Sequence, residues 1–451
     1  MKRLLLLLVV CCTAFACEQN DAVPPQTTTK QVIKSKYRTL DEAIDIAEKS
    51  VSMLGEQTRA TKRSIDRSRI RAVLDRRATT RSAAADTLIY IINFDDSAGF
   101  ALIPRSTSKP ELLAVTEKGN YDGGETNNEG FNIYMSKAYE WIVDSTQDGT
   151  PVDTTFNPGV GGGEIGDQVI TEWKSTNEYD STKVAPKIMV NWGQDVPYNY
   201  MCFYQGNFGG MPAKAGCVPI AIAQILSYYQ YPLSITLSIA YNNGATIPLN
   251  WSQINKVHNS DDSEYGGGDY ITLAYLIREI GERVDAIYGE YNNNIYDSSS
   301  GAQTSNARNC FASLGYNTGE YQAYNSSIVL NSLNQDKLVL IRGEYNNNAT
   351  AGHAWIVDGY RRIGNRYKEW HREQGQTQWS LVLETYSSNL YVHFNWGHEG
   401  YYNGYFLTSR SFTNYTTGAS SSYYADIFET SHNLDYDFNT NVKIIPNIYP
   451  N

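Results

Sequence analysis

Residues 216–229 have the sequence GCVPIAIAQILSYY, which places apolar or small residues on nearly every face of a helix. A helix of this kind is predicted to lie in a core. Pro219 fits its first turn, because the N–H that proline lacks is not needed there. Cys217 therefore stands at the N-terminus of a buried helix, where free backbone N–H groups and the helix dipole favour the thiolate over the thiol.

His353 is the best candidate, among the six histidines of the chain, for a base that acts on this thiol. It follows Gly352 and precedes an apolar run, residues 354–357, which predicts an imidazole at the mouth of a strand. Neutral imidazole can take a thiol proton and later protonate a leaving amine. A lone histidine on a strand is more often structural, but its pairing with Cys217 favours the catalytic interpretation.

Two more segments contain residues that suit this chemistry. Asn395-Trp396-Gly397 follows a predicted strand and supplies an amide that could orient the histidine and an indole that could shield the pair from water. Upstream of the cysteine, Gln194 could donate its side-chain amide to an oxyanion, beside the backbone N–H of Cys217.

In their order and intervals these segments resemble the streptopain family of papain-fold cysteine peptidases. The resemblance rests on Gln194 with Pro197-Tyr198-Asn199, on residues 216–226 and 352–359, on Asn395-Trp396-Gly397 and on Gly404-Tyr405-Phe406. It extends upstream to residues 94–122, which are similar to the inhibitory propeptide of those zymogens. The resemblance implies an α+β fold: a papain-like catalytic domain, with a helical half and an antiparallel β half, preceded by a small α+β propeptide domain.

The family also implies roles for individual residues. The predicted catalytic residues are Cys217, His353, Gln194, Trp396 and Asn395, with the first two as a dyad that works through an acyl-enzyme. The predicted substrate-binding residues are Ser300, Gly301 and Gly352. An apolar residue is expected two positions before the cut. His398 and Glu399 stand where an aromatic residue and a glycine are often found after the Trp-Gly pair, so the specificity of the cleft rim is expected to differ.

The bulk composition narrows the choice of partners. The chain has 451 residues and a formal net charge of −11, a field that repels phosphate backbones and anionic lipid. Nucleic acid is therefore not an expected partner, whereas protein or peptide substrates and the propeptide, as an intramolecular inhibitor, are. No cofactor or metal is predicted, because His393, His398 and Glu399 make a poor ligand set without a nearby cysteine.

The N-terminus predicts export. Residues 1–16 have a charged start and a short apolar core, as in a signal peptide. Ala14-Phe15-Ala16-Cys17 resembles a bacterial lipoprotein cleavage box, so we expect a lipidated Cys17 at the cell envelope, with plain secretion as the alternative. A lipid of this kind would be the protein's only attachment to a membrane.

The cysteines that follow the predicted signal and lipid site are Cys202, Cys217 and Cys310. Three thiols do not make a disulfide framework, and at least one must stay unpaired within the monomer. Whether Cys202 and Cys310 pair is left open. An unpaired thiol in an exported chain is a candidate reactive group.

The chain divides into five predicted segments. They are a signal peptide (1–16), a polar tether (17–38), an inhibitory propeptide domain (39–158), a glycine-rich activation linker (159–186) and a peptidase domain (187–451). Thr39 and Glu42 form a capping-box pattern before a first helix, and short strands near 88–92, 99–103 and 112–115 precede a helix near 134–143. Cleavage in the exposed linker is expected to release the inhibition.

Two other functions compete with a secreted cysteine endopeptidase. One is a catalytically inactive surface lipoprotein that retains a peptidase-like fold and binds protein or glycan through its Tyr/Asn-rich loops. The other is an amidase or transferase that uses the same dyad. An unreactive Cys217 would favour the first, and the products formed from peptides and small amides would separate the second.

Overall fold

The structure, a computed structural model, describes residues 35–54, 63–75, 87–143, 171–203, 212–237, 244–258, 267–289, 291–292, 295–296, 300–345, 348–373, 375–415, 421–428 and 441–451. The predicted signal peptide, Cys17 and most of the tether lie outside these residues. Within them, no helix is both long enough and apolar enough to cross a membrane.

The N-terminal part begins with the helix that the capping-box pattern predicts. The Thr39 hydroxyl accepts a hydrogen bond from the Glu42 N–H, and the Glu42 carboxylate accepts one from the Thr39 N–H. The regular elements of this part are α1 (Leu40–Ser50), β1 (Arg71–Leu74), β2 (Thr87–Asn93), β3 (Phe100–Pro104), β4 (Ala114–Thr116) and α2 (Glu129–Val143). Helix α2 begins before the predicted Tyr134, because the Asn128 side chain accepts from the Phe131 N–H and caps it.

The remaining elements place the helices mostly before the long strands, as expected. In chain order they are β5 (Thr171–Val184), α3 (Cys217–Tyr229), β6 (Ser234–Thr236), β7 (Thr246–Pro248), α4 (Trp251–Ile254), α5 (Tyr270–Arg283), β8 (Tyr291–Asn292), β9 (Ile295–Tyr296), α6 (Ala307–Ser313), β10 (Tyr316–Asn317), β11 (Gln322–Ala323), α7 (Ser326–Asn334), β12 (Leu338–Tyr345), β13 (Asn348–Glu373), β14 (Ser380–Asn395), β15 (Gly404–Asn414), β16 (Ser421–Asp426) and β17 (Lys443–Pro450). The strand predicted before Asn395-Trp396-Gly397 is the end of β14. The mixture of helices with a large antiparallel sheet confirms the α+β class.

One sheet runs through both parts of the molecule. Its strand order in the described residues is β1-β2-β3-β4-β15-β14-β13-β12-β17-β10, with β5 on β13, β16 on β15 and β11 on β17. The junction between the two parts is the antiparallel pair β4–β15, in which Thr116 lies opposite Gly404 and Ala114 opposite Phe406. The N-terminal part is therefore an extension of the peptidase sheet.

The two faces of this sheet belong to different cores. On β12, Val339 and Ile341 join a core that also contains α2, whereas Leu338 and Leu340 join a core formed mainly by α3 and α5. This division follows from the alternation of side chains along a strand. The N-terminal part and the helical half thus cover opposite faces of the central strands, and both reach the end of β13 that carries His353.

The second half of the predicted activation linker is a strand. Residues Thr171–Val184 form β5, which pairs with β13 from Tyr360 to Glu373 in continuous antiparallel register. These residues of the predicted linker are therefore a paired strand, and their Thr and Tyr content suits one; an activation linker at 159–186 stays a prediction. Residues 159–170 lie outside the described part of the chain.

A buried charged cluster crosses the junction between the two parts. His393 Nδ1 on β14 lies 2.6 Å from Asp358 Oδ1 on β13, and His393 Nε2 lies 3.4 Å from Oε1 of Glu117, which follows β4. The other Asp358 oxygen accepts hydrogen bonds from the backbone N–H groups of Lys187 and Ile188. Burial alone would lower the pKa of His393, but the two carboxylates outweigh it and raise this pKa to about 10.

We expect Glu117→Gln to lower the free energy of unfolding of the full-length protein by about 1–3 kcal/mol near pH 6, the usual range for a hydrogen bond to a charged group. Because the pKa of His393 rises on folding from 6.5 to about 10, its ion pairs stabilise the fold fully below pH 6.5 and lose that effect as pH rises through 10. The loss caused by the substitution should therefore be smaller at about pH 10. Urea unfolding at the two pH values measures it.

Glu320→Gln is the matched control, since Glu320 is 76% exposed and pairs with Arg308 on the surface. It should change stability by at most about 1 kcal/mol. An effect of Glu117→Gln that is the same at both pH values would contradict the stabilising role of the charged cluster.

Candidate active site

Cys217 is the first residue of α3, as the sequence predicts. Gly216 before it has φ 89° and ψ 142°, a conformation that residues with a side chain rarely adopt, and this turn directs the chain into the helix. Val218 and Ile220 are buried in the helical core, whereas Cys217 is only partly buried. The thiol thus lies at the edge of a rigid core, at the positive end of the helix dipole.

Cys217 and His353 meet across the boundary between the helical half and the sheet, close enough for each side chain to shift the pKa of the other. Burial alone would raise the pKa of the thiol, but the hydrogen bond and the charge of His353 outweigh it, so the pKa of Cys217 is lowered. Burial would lower the pKa of His353, but the same contact, helped by the charge of Glu129, raises it to about 9. Both shifts favour the thiolate and imidazolium forms over the neutral pair.

The His353 ring is held by a backbone group. Its Nε2 lies 2.8 Å from the carbonyl oxygen of Trp396, so this nitrogen carries a hydrogen and donates it. Only Nδ1 is left to face the thiol. Trp396 is itself fixed, because its indole is fully buried against Trp355 and Phe406 and its Nε1 donates to the carbonyl of Tyr402.

Asn395 does not make the contact predicted for it. Its Nδ2 donates to the carbonyl of Val190 at 3.2 Å, and its Oδ1 accepts from the N–H of Gly397 at 3.1 Å. The amide is used to shape the turn and to tie it to the segment before Gln194, while the Trp396 carbonyl orients His353. Prediction from papain-like chemistry went wrong here because a backbone acceptor leaves no mark in a sequence.

The backbone of Gln194 is bound to the segment that precedes Cys217. Its carbonyl accepts a hydrogen bond from the N–H of Ala215, two residues before Cys217, at 2.9 Å. Nearby, Asn199 donates to the carbonyl of Ala213 and holds the same loop. The loop of Gln194 is therefore tied to the chain that leads into α3.

The three predicted substrate-binding glycine and serine positions border the same region. The carbonyl oxygen of Ser300 is 3.8 Å from the point where a Cβ on Gly216 would stand. Gly301 is exposed and pairs with Ile287, and the exposed Gly352 directly precedes His353 on β13. Small residues here leave the surface beside the dyad open.

The other two thiols are chemically different from Cys217. Cys202 and Cys310 are both free and buried, so they do not pair. Burial raises the pKa of each to about 12. A single cysteine of the described chain is therefore set up as a nucleophile.

The N-terminal part reaches the dyad directly, a contact that the sequence did not reveal. Glu129 Oε2, at the start of α2, is 3.5 Å from His353 Nδ1. A Cβ on Gly130 would stand 2.6 Å from Trp396 Cε3 and 2.7 Å from His353 Cδ2. The available signal was the Asn128-Glu129-Gly130 start of a helix in the segment predicted to inhibit, but no local pattern says what such a helix end will touch.

No group of three or more His, Cys, Asp or Glu residues in the described ranges is arranged to hold a metal ion. The chemistry available to the site is that of a thiolate, an imidazolium and hydrogen-bond donors at a helix N-terminus. This arrangement suits nucleophilic attack on a carbonyl group.

Comparisons with known proteins agree with this geometry. Residues 192–406 match the model of the Peptidase C10 family. Streptopain from Streptococcus pyogenes serotype M28 is 23% identical over 303 residues, which cover 60% of this chain and 68% of the relative. Streptopain from serotype M1 is 22% identical with the same coverage. Among solved structures, a prointerpain A fragment from Prevotella intermedia is similar with a TM-score of 0.49 and 19% identity, covering 86% of this chain and 100% of the fragment.

The matched segment contains Gln194, the helix of Cys217 and the strands of His353 and Trp396, and it defines the class of the protein as a cysteine peptidase. The predicted enzyme class is thereby confirmed. Within that class, residues 192–406 are similar to the Peptidase C10 family, and the chain resembles streptopain.

The dyad makes a prediction about thiol reactivity. In the processed protein, iodoacetamide should alkylate Cys217 well below pH 9, its ordinary pKa, and His353→Ala should move this reaction to higher pH, because the hydrogen bond that lowers the pKa is lost. Each unit of upward shift reduces the thiolate fraction about tenfold at pH values below the pKa. Mass spectrometry of the alkylated peptides gives the rate at each site.

The internal control is Cys310, whose pKa of about 12 predicts slow alkylation with or without His353. A pH profile for Cys217 that is identical in the two variants would show that His353 does not act on the thiol.

Proposed function

We propose that the protein is an exported cysteine endopeptidase, made as a zymogen, that hydrolyses peptide bonds in proteins through an acyl-enzyme. The observation that carries this proposal is the close pair of Cys217 and His353, with the pKa of the thiol lowered and that of the imidazole raised to about 9. An inactive lipoprotein with a peptidase-like fold would have no need of such a pair. A lowered thiol pKa therefore favours the enzyme over that alternative.

The proposed reaction follows from where each group lies. The Cys217 thiolate attacks the peptide carbonyl, and the oxyanion is held by the Cys217 N–H and the Gln194 side chain. His353 Nδ1 gives its proton to the leaving amine, so the acyl-enzyme forms and the amine departs. His353, now neutral, takes a proton from a water molecule, which attacks the thioester and restores the thiolate and imidazolium.

Support for cleavage inside chains, and not only at their ends, comes from the N-terminal part. Its chain passes over the dyad with residues on both sides: Asn127 contacts His398, while Glu129 and Gly130 lie on His353 and Trp396. A site that accommodates a continuing chain in this way suits an endopeptidase. Export, and lipidation of Cys17, are proposed from the sequence alone, since those residues lie outside the described ranges.

Cys217→Ala tests the function directly. We expect it to abolish both self-processing and cleavage of peptides, because the nucleophile is removed, whereas Cys310→Ser should retain both. An epoxide inhibitor of cysteine peptidases should label Cys217 in the processed protein. Gel analysis of processing, a casein digestion assay and mass spectrometry of the labelled peptide provide the measurements.

Gln194→Ala extends the same experiment. It should retain labelling of Cys217 but reduce turnover by roughly 10²-fold, the usual effect of removing one oxyanion donor. Unchanged turnover would remove Gln194 from the mechanism, and casein digestion by Cys217→Ala would refute the proposed function.

The proposed latency rests on helix α2. Its first two residues lie over His353 and Trp396, where a bound substrate must pass, and the Glu129 carboxylate faces the nitrogen of His353 that must serve the thiol. Phe131 and Tyr134 anchor the helix in the core that contains Trp396 and Phe406. Release requires a cut between the two parts, within 159–186. We expect it outside β5, because a hydrogen-bonded strand is a poor protease site.

Gly130→Ala tests the latency. The added methyl would lie less than 3 Å from Trp396 and His353, so α2 must move outward. Overpacking of this kind costs about 1–3 kcal/mol, which corresponds to roughly 5- to 150-fold weaker docking of α2 on the site. We expect the epoxide inhibitor to label the full-length Gly130→Ala protein within a time that leaves the full-length wild type unlabelled. A gel with a tagged inhibitor separates full-length from processed protein.

Gly124→Ala is the matched control in the same part of the chain, because its added methyl would meet only the Asp122 side chain, at 3.3 Å. It should behave as wild type. Full labelling of the unprocessed wild type would show that α2 does not block the site.

A further inference from the structure

We propose that His398 is a specificity-determining residue that selects a hydrogen-bond-accepting side chain at the first position after the scissile bond. This inference rests on the proposed peptidase function and concerns the same cleft. It is carried by the position of His398 relative to Gln194 and by its contact with Asn127.

His398 comes directly after the turn Asn395-Trp396-Gly397, which orients the catalytic imidazole. The Trp396 carbonyl holds His353, and two residues later His398 lies half-buried beside the dyad. The turn is rigid, because Gly397 donates to Asn395 Oδ1 and the Trp396 N–H donates to Asn403 Oδ1. A side chain placed by this turn has a defined position relative to the reacting atoms.

The turn of His398 packs against the oxyanion side of the cleft. The Glu399 N–H donates to the carbonyl of Trp192 at 3.3 Å, and a Cβ on Gly193 would stand 2.6 Å from Glu399 Cγ. His398 is also close enough to Lys214 and Asp195 to feel their charges. Ser300, in contrast, approaches Cys217 from the side of Gly216. The turn of His398 therefore borders the cleft beside His353, and the Ser300–Gly301 loop borders it beside Gly216.

His353 must deliver its proton to the leaving amine, and His398 stands on the His353 side of the cleft, next to Gln194. We therefore assign His398 to the leaving-group half and the Ser300–Gly301 loop to the acyl half. The first residue of the departing chain would then lie against His398.

Asn127 shows what this position accepts. His398 Nε2 lies 3.2 Å from Asn127 Oδ1, and since an amide oxygen only accepts, Nε2 carries the hydrogen and donates it. Burial, followed by the charges of His353 and Lys214, lowers the pKa of His398, so the ring is neutral and keeps a single donor hydrogen. When the N-terminal part leaves, this donor becomes free for an oxygen acceptor on the substrate, such as the side chain of Asn, Gln, Asp or Glu.

The test uses the processed protein and two internally quenched peptides that differ only in the residue after the cut, Asn or Leu. The readout is the ratio of kcat/KM for Asn to that for Leu within each variant, which cancels any general effect on turnover. Titration with the epoxide inhibitor counts the working sites. We expect a wild-type ratio of about 3- to 10-fold in favour of Asn, the range of one net hydrogen bond.

His398→Phe should bring this ratio close to 1, because the ring is kept but its N–H is lost, whereas His398→Gln, which keeps a donor, should retain most of the preference. His258 is an exposed histidine elsewhere on the chain, so His258→Ala serves as the control and should keep the wild-type ratio.

The same ratio in wild type and His398→Phe, or a change confined to substrates varied before the cut, would overturn the proposal. If the proposed function fails, the wild-type protein will show neither labelling by the inhibitor nor cleavage of peptides. If only this inference fails, the wild type will be labelled and will cut peptides, but His398→Phe will not change the ratio.

Discussion

The hydrogen bond from His353 Nε2 to the Trp396 carbonyl is the constraint on which the site depends. It fixes the ring so that a single nitrogen, Nδ1, faces both Cys217 and Glu129. In the full chain both partners act on the ring together, and both raise its pKa. The aromatic packing around Trp396 supports the carbonyl, so the core of the sheet and the reactivity of the site are linked.

The continuous sheet explains how a helix end can be held so closely over the dyad. Pairing of β4 with β15 sets the N-terminal part in register with the strand that follows Trp396. The cluster of Glu117, His393 and Asp358 joins the same parts through buried charges and extends to the backbone at Lys187. Backbone pairing, charge and aromatic packing thus act at three separate places, and Glu129 and Gly130 are positioned by all of them.

Local pattern predicted the helix of Cys217 and the capping box at Thr39, because each depends on spacing and caps within a few residues. Contacts between distant segments were harder to predict. The orienting role expected of Asn395 belongs to a main-chain oxygen, which every residue has. Strand β5 is stabilised by a partner far along the chain, and the contact of Gly130 with Trp396 exists only in three dimensions.

The pairing of Thr116 with Gly404 affects the order in which the chain is synthesised and folds. Strands that are so distant in the sequence close late, because a long loop must be ordered before the contact stabilises anything. Synthesis proceeds from the N-terminus, so Glu129 exists before either His353 or Trp396 is made. Each peptidase site is therefore completed only after the helix end that lies over it has been synthesised, so under the proposed function the inhibitor precedes the site that it covers.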